Sequence, residues 1–149
     1  MFLDDGVSRD SAPPKKPEEG GDPLARGKYR QARIQHAYLA NDAQTREVTI
    51  SRVVDAYDPA RTYFFVAILH DPAEAFGPMG PKGSPLDGVQ IGGGSVTLIV
   101  SGDINARRTA VISQPGSAWY FDEAARVSYI KVVDNPSTIS MRLRYRIAG

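Results

Sequence analysis

The chain has 149 residues and no cysteine, and its 18 lysines and arginines nearly balance its 17 aspartates and glutamates, for a formal net charge of +1. The lack of cysteine excludes disulfides, thiolate metal sites and cysteine nucleophiles, and the small net charge disfavours a histone-like nucleic-acid binder. A chain of this length folds most simply as one domain. No apolar run approaches the roughly 20 residues of a membrane span, and the acidic start differs from a secretory leader, so we expect a soluble, cytoplasmic protein.

Residues 1–27 form a segment of distinct composition. They include four prolines, four glycines, six acidic residues and four basic ones, with Phe2 as the only aromatic residue. Such a segment buries too little apolar surface to offset the entropy of ordering its chain. We therefore predict an extended arm of net charge −2. Its end, from Phe2 and Leu3 to Asp4 and Asp5, combines an apolar anchor with acidic groups.

From Tyr29 onward the apolar residues recur with a period near two, and turn residues interrupt them about every ten positions. Eight strands are expected, at residues 30–39, 45–56, 61–69, 88–100, 107–113, 117–122, 126–133 and 138–147. The pattern predicts that residues 28–149 form an all-β domain, an antiparallel β-sandwich of jelly-roll or immunoglobulin-like type. An open barrel is the alternative. A short helix is allowed at 72–76 or 122–126.

Residues 71–87 interrupt this pattern with a long loop rich in proline and glycine, which we expect on the surface. Phe76, Met79 and Leu86 lie in it as exposed apolar residues. They are expected either to anchor a partner protein or to fold back over the sandwich as a lid.

No motif in the chain specifies a catalytic or cofactor site. The glycines around Lys82 are out of order for a phosphate-binding loop, and the three glycines at 92–94 enter a β-rich stretch, where a β-bulge or close strand crossing is expected. The chain has two histidines, His36 and His70, but none of its serines lies in a G-x-S-x-G nucleophile motif. We therefore expect neither enzymatic activity, nor a cofactor, nor a metal site.

The main concentration of aromatic residues is Trp119, Tyr120 and Phe121. Because successive side chains of a strand point to opposite faces, we expect Trp119 and Phe121 in the core and Tyr120 on the surface. An exposed aromatic side chain on a sandwich face is suited to stacking on sugars or bases.

The last predicted strand places Arg142, Arg144 and Arg146 on one face, opposite a row of apolar residues. Three interpretations are open: a solvated strand face, a contact with the acidic arm of the same or a neighbouring subunit, or a nucleic-acid site. The net charge of +1 disfavours nucleic acid.

A cysteine-free β-sandwich with a charged arm and a long Pro/Gly loop resembles the accessory structural proteins of tailed phages, such as decoration or cement proteins and minor capsid or tail components. The resemblance implies a non-enzymatic protein of the virion, assembled in the host cytoplasm, whose partners are protein subunits in a homo-oligomer or a larger capsid or tail assembly. No nucleic-acid or membrane partner is expected. The alternative function is a sandwich module that binds carbohydrate or another surface through Tyr120 and residues 76–86.

Overall fold

The computed structural model describes residues 2–4, 29–55, 62–71 and 84–146. These residues form ten strands and one helix: β1 Phe2–Asp4, β2 Tyr29–Leu39, β3 Asp42–Asp55, β4 Tyr63–Leu69, β5 Leu86–Ile91, β6 Gly94–Ser95, β7 Thr97–Leu98, α1 Ile104–Ser113, β8 Ala118–Asp122, β9 Val127–Val133 and β10 Ile139–Tyr145.

The strands form two sheets. The six-stranded sheet has the order β1-β2-β3-β10-β5-β6 with antiparallel neighbours throughout. The four-stranded sheet has the order β4-β9-β8-β7, antiparallel except for the β7–β8 pair. The predicted all-β sandwich is therefore confirmed.

The main core lies between the sheets because each contributes the apolar side chains of one strand face. From the six-stranded sheet, Met141 and Leu143 are fully buried, and from the four-stranded sheet Trp119 and Ile130 are as deeply buried. Trp119 and Phe121 thus occupy the core as predicted. Burying aromatic and branched side chains of this size stabilises the fold by roughly 1.5–3 kcal/mol each.

The strand predicted at 107–113 is wrong, because these residues belong to helix α1. Asp103 precedes the helix in an extended conformation, and its carboxylate accepts a hydrogen bond from the backbone N–H of Ala106 at 2.9 Å. Gly102 has φ of 84°, and a Cβ there would lie 2.7 Å from the Ala106 Cβ. The cap and the turn before it initiate a helix in a segment whose apolar pattern also fits a strand.

The strand predicted at 88–100 is divided by a tight turn. Gly92 and Gly93 both have positive φ, 58° and 84°, and they link the paired residues Ile91 and Gly94. A two-residue hairpin loop with two positive φ values is a type I′ turn, for which glycine is favoured. The expected bulge or strand crossing at this point is thus corrected to a hairpin.

Two further expectations concern residues 71–87. Leu86 is only 1% exposed and belongs to the core as the first residue of β5, so its predicted exposure is wrong. Residues 72–83, with the possible helix at 72–76, lie outside the described residues, and residues 122–126 form a strand end and a turn. In the part of the chain that the structure describes, no helix has the length and apolar character to cross a membrane.

Candidate functional site

Strand β10 places the arginine row in the middle of the six-stranded sheet, between β3 and β5. The predicted alternation is confirmed: Met141 and Leu143 face the core, while the side chains of Arg142 and Arg144 are more than half exposed. Arg146 directly follows the strand and is partly covered.

Each of the three arginines has an acidic partner on a neighbouring strand. The Arg142 Nε lies 3.3 Å from Glu47 Oε2 on β3. On β5, Asp87 lies 3.0 Å from Arg146 Nη2 and 3.7 Å from Arg144 Nε. Exposed pairs of this kind contribute roughly 0–1 kcal/mol each. They nevertheless cancel much of the positive charge that a phosphate backbone would need.

A groove of about 590 Å³ runs beside these arginines. Asp42 and Asp87 line it together with Arg142 and Arg144, and none of the described residues that line it is aromatic. Grooves that bind single-stranded nucleic acid combine positive charge with aromatic rings on which bases stack. The chemistry of this groove therefore differs from that of a nucleic-acid site.

The end of the predicted arm pairs with the edge of the same sheet. Strand β1 lies antiparallel to β2, with Phe2 opposite Gln31 and Asp4 opposite Tyr29 in the backbone register. Since β2 and β3 separate β1 from β10, residues Phe2, Leu3 and Asp4 do not lie across the arginine row. Three other residues predicted to bind a partner, Asp5, Phe76 and Met79, lie outside the described residues.

Tyr120 is 4% exposed, so its predicted position on the open surface is wrong. It does point away from the main core, as the alternation requires, but α1 covers this outer face of the four-stranded sheet. There Tyr120 joins Val111 and Ala118 in a second apolar cluster. The three consecutive aromatic residues of β8 are thus all buried, on two faces of one strand.

A cleft of about 520 Å³ opens beside this second cluster, between α1 and the four-stranded sheet. We call it the α1 cleft. Its lining comprises aromatic residues of the sheet (Phe65, Tyr120, Tyr129), residues of α1 (Ile104, Asn105, Arg108) and Asp122 at the end of β8.

The aromatic wall of the α1 cleft is built by strand register. Tyr120 and Tyr129 are directly paired across β8 and β9, and their rings stack with centroids 5.2 Å apart and planes 22° from parallel. Phe65, on β4, is partly buried beside them. Burial raises the pKa of Tyr120, so its hydroxyl remains protonated, and able to donate, at neutral pH.

Polar groups surround this wall. Asn105 and Arg108 are exposed on the first turns of α1, and their side chains have no hydrogen-bond or ion-pair partner within the described residues. The Asp122 carboxylate accepts one hydrogen bond, from the Ala125 backbone N–H at 3.0 Å. The cleft thus offers amide, guanidinium, hydroxyl and carboxylate groups to a ligand, with one positive and one negative charge.

Helix α1 is held over the sheet by two buried cations. Arg107 is 6% exposed, and its guanidinium donates to the carbonyl oxygens of Phe121 and Gly102 at 2.9 and 3.0 Å and pairs with Glu123. At the other end of the helix, the Lys131 ammonium donates to the carbonyl oxygens of Ile112 and Gln114. Both ends of the wall that α1 forms are therefore fixed to β8 and β9.

The α1 cleft could not be predicted from the sequence, because five of its lining residues come from segments predicted as strands, and the apolar pattern does not specify how those segments are arranged in space. The only available signals were Asp103 as a helix cap and the spacing of Ile104, Arg108 and Val111, which suits one side of a helix.

His70 and Ser128 are the one described pair that resembles a base and a nucleophile. The His70 Nε2 lies 2.8 Å from the Ser128 hydroxyl oxygen. Both residues are almost wholly buried, and the imidazole packs edge-on against Phe121 and Tyr145. Burial, and after it the positive charge of Arg126, lowers the pKa of His70 to about 4. This neutral, enclosed imidazole has the features of a core residue.

The described residues also contain no group of three or more histidine, cysteine, aspartate and glutamate side chains arranged to hold a metal ion.

The described residues form an all-β sandwich with a cleft beside helix α1, and comparison with known proteins shows a similarity to solved structures. No protein-family model and no curated protein sequence matches the chain. Among solved structures, the chain is similar to a glycoside hydrolase family 31 dextranase from Flavobacterium johnsoniae in complex with glucose, with 16% identity and a TM-score of 0.62. A mutant of that enzyme in complex with isomaltotriose gives 16% identity and a TM-score of 0.61.

Both alignments cover 96% of this chain but only 14% of the dextranase chain. At this identity the similarity shows the fold alone. The same β-sandwich therefore occurs as a small part of a much larger enzyme.

Proposed function

We propose that this chain is a non-catalytic structural module that assembles with further copies of itself through the edge of β2. The observation that carries the proposal is the exposure of β2. Its described side chains are exposed from Arg33 to Tyr38, on both faces of the sheet.

Among the described residues, the backbone edge of β2 is also open along Arg33–Tyr38. On one side β2 pairs with β3 along its length, whereas on the other side β1 reaches only from Tyr29 to Gln31. No described strand pairs with Arg33–Tyr38 on that side. An open edge of this kind is a template for strand addition, and proteins usually shorten, cover or charge such edges.

The side chains along this edge extend the apolar face of the core. Ile34 is paired with Ile50 of the core and is nevertheless 53% exposed, and Tyr38 on the same face is 68% exposed. Large apolar side chains on an open strand favour a partner that pairs with the backbone and covers this face at once.

A second copy of the chain fits this edge by symmetry. Two β2 strands related by a two-fold axis at His36 would be antiparallel and would place Ile34 of each copy opposite Tyr38 of the other. Aromatic and β-branched cross-strand pairs of this type are favourable. Residues 30–39 contain no acidic side chain, and this register places Arg33 opposite Leu39 and away from the second Arg33. The pairing would make one continuous sheet across a two-fold dimer.

The N-terminal arm adds a second contact to the proposal. Strand β1 pairs with β2 and with no other described strand, and 24 residues separate it from β2 in the sequence. Such a strand is suited to exchange between subunits, because the exchanged pairing is identical to the internal one. We extend the proposal to a particle of many subunits, of which a tailed-phage virion is the case that the organisation of the chain resembles.

Sedimentation velocity over a range of concentrations tests the proposal. The full chain should associate, and Ile34→Lys should weaken association by about tenfold, since a charge would replace an apolar side chain twice at a two-fold interface. Leu69→Lys is the matched control, because Leu69 is 76% exposed on the other sheet. A full chain that stays monomeric, or equal effects of the two substitutions, would contradict assembly through β2.

A further inference from the structure

We propose that the α1 cleft binds a neutral saccharide unit of one or two rings, which packs against the aromatic wall and hydrogen-bonds to Arg108, Asn105 and Asp122. This site lies on the four-stranded sheet and is independent of the β2 edge on the other sheet.

The size and lining of the cleft suit such a ligand. Its volume of about 520 Å³ lies in the range of small-molecule sites, roughly 300–1,000 Å³. Phe65 and Tyr129 are partly buried, and Tyr120 is more deeply buried. Aromatic rings that are held by a sheet provide a rigid apolar surface, against which the C–H face of a sugar ring can pack with little loss of side-chain entropy.

The polar groups are those that recognise hydroxyl groups. A sugar hydroxyl both donates and accepts hydrogen bonds, so it can accept from the Arg108 guanidinium and donate to the Asp122 carboxylate. Hydrogen bonds to charged groups are about twice as strong as neutral ones. Arg108 and Asn105 have no partner to lose within the described structure, which lowers the cost of binding.

The charges favour a neutral ligand over an ionic one. Among the described residues, Arg108 and Asp122 are the charged side chains that line the cleft, and their charges are opposite. An anion such as phosphate would be attracted to Arg108 but repelled by Asp122. A cation would be attracted to Asp122 but repelled by Arg108. A neutral polyol satisfies both groups at once.

The cleft is also preformed. Arg107 and Lys131 fix α1 to β8 and β9, and Asp103 caps the helix close to Asn105. Walls held in this way need little rearrangement on binding, which is the usual condition of a small-molecule site.

Titration of the isotope-labelled full chain, followed by two-dimensional amide NMR, tests the proposal. The probes are glucose, galactose, cellobiose and isomaltotriose, with inorganic phosphate as the ionic comparison. We expect at least one saccharide, at millimolar concentration, to shift the amide signals of the first turn of α1 and of Tyr120 and Tyr129, and phosphate to leave them unchanged.

Two variants and a control locate the site. Arg108→Ala should weaken binding by about tenfold, because it removes a charge-assisted hydrogen bond from an exposed side chain that has no hydrogen-bond or ion-pair partner among the described residues. Tyr120→Phe, which keeps the ring, should weaken it by a smaller factor. Thr109→Ala, on the exposed side of the same helix, should leave it unchanged. The unshifted signals of each variant report that it is folded.

The proposal is overturned if none of the four saccharides shifts these signals, or if phosphate shifts them and the saccharides do not. It is also overturned if Arg108→Ala binds the saccharide as tightly as the original chain does. The β2 edge is tested separately, because Ile34→Lys should leave the saccharide titration unchanged.

Discussion

The Arg107 guanidinium donates a 2.9 Å hydrogen bond to the carbonyl oxygen of Phe121, and this bond joins helix α1 to strand β8. The same nitrogen pairs with Glu123, so that a buried cation satisfies both a backbone oxygen and a carboxylate. The adjacent Arg108 is exposed and has no such partner among the described residues. Two neighbouring arginines therefore have different roles, one in attaching the helix and one in lining the cleft.

Substitution of these two arginines should separate the roles. Arg107→Ala should lower the free energy of unfolding by about 2–3 kcal/mol, because it leaves the buried carbonyl oxygen of Phe121 without its Arg107 donor. Arg108→Ala should change it by no more than about 0.5 kcal/mol. Urea denaturation measures both values, and equal losses in the two variants would contradict the assigned role of Arg107.

The turn before α1 should tolerate no side chain. Gly102→Ala combines φ of 84° with a Cβ only 2.7 Å from that of Ala106, so we expect a loss of about 1–3 kcal/mol in the free energy of unfolding. Gly116→Ala is the control after the helix, where no atom lies within 4 Å of an added Cβ. If thermal unfolding shows the two variants to be equally stable, the left-handed turn at Gly102 is not required.

The buried His70 should make stability depend on pH. Its pKa is lowered to about 4 in the fold, against about 6.5 in an unfolded chain, so the unfolded state binds the proton first as the pH falls. The stability contributed by the neutral imidazole is complete above about pH 6.5 and is lost progressively down to about pH 4, by up to about 3 kcal/mol.

Denaturation curves between pH 4 and pH 7 test this dependence. His70→Gln should flatten the pH profile in that window. At a concentration at which the chain is monomeric, His36→Gln, at an exposed position of β2, should leave the profile of the original chain. A profile that depends on His36 and not on His70 would show that the titrating group has been wrongly assigned.

The arm should contribute to assembly through β1. If β1 of one copy pairs with β2 of another, deletion of residues 1–27 should reduce the size of the assembled species in sedimentation. Replacement of residues 2–4 by Ser-Gly-Ser keeps the length of the arm and should reproduce most of the effect. An unchanged size distribution in both variants would count against exchange of the arm.

The β-sandwich could be predicted from the sequence where the apolar alternation was strict. In β10 the pattern from Ile139 to Tyr145 determined both the strand and its buried face. The partners of its arginines could not be predicted, because Glu47 and Asp87 become neighbours only through the strand order, which alternation does not encode.

The α1 cleft was missed for a related reason. Residues 107–113 fit both periodicities, and the helix depends on a single capping carboxylate at Asp103 and on tertiary hydrogen bonds from Arg107. Tyr120 lies on the predicted face of β8, opposite Trp119 and Phe121, but helix α1 covers this face and buries it. Tertiary contacts of this kind determine whether a short segment with a weak apolar pattern forms a helix or a strand.

Strands β8 and β2 should differ widely in the rate at which their amide hydrogens exchange with solvent. Residues 118–121 of β8 are at most 4% exposed and are enclosed by the main core on one face and by the α1 cluster on the other. Their amides should exchange only when the whole domain unfolds, whereas those of β2 should exchange through local opening. The helix therefore protects the centre of the domain as well as forming a wall of the cleft.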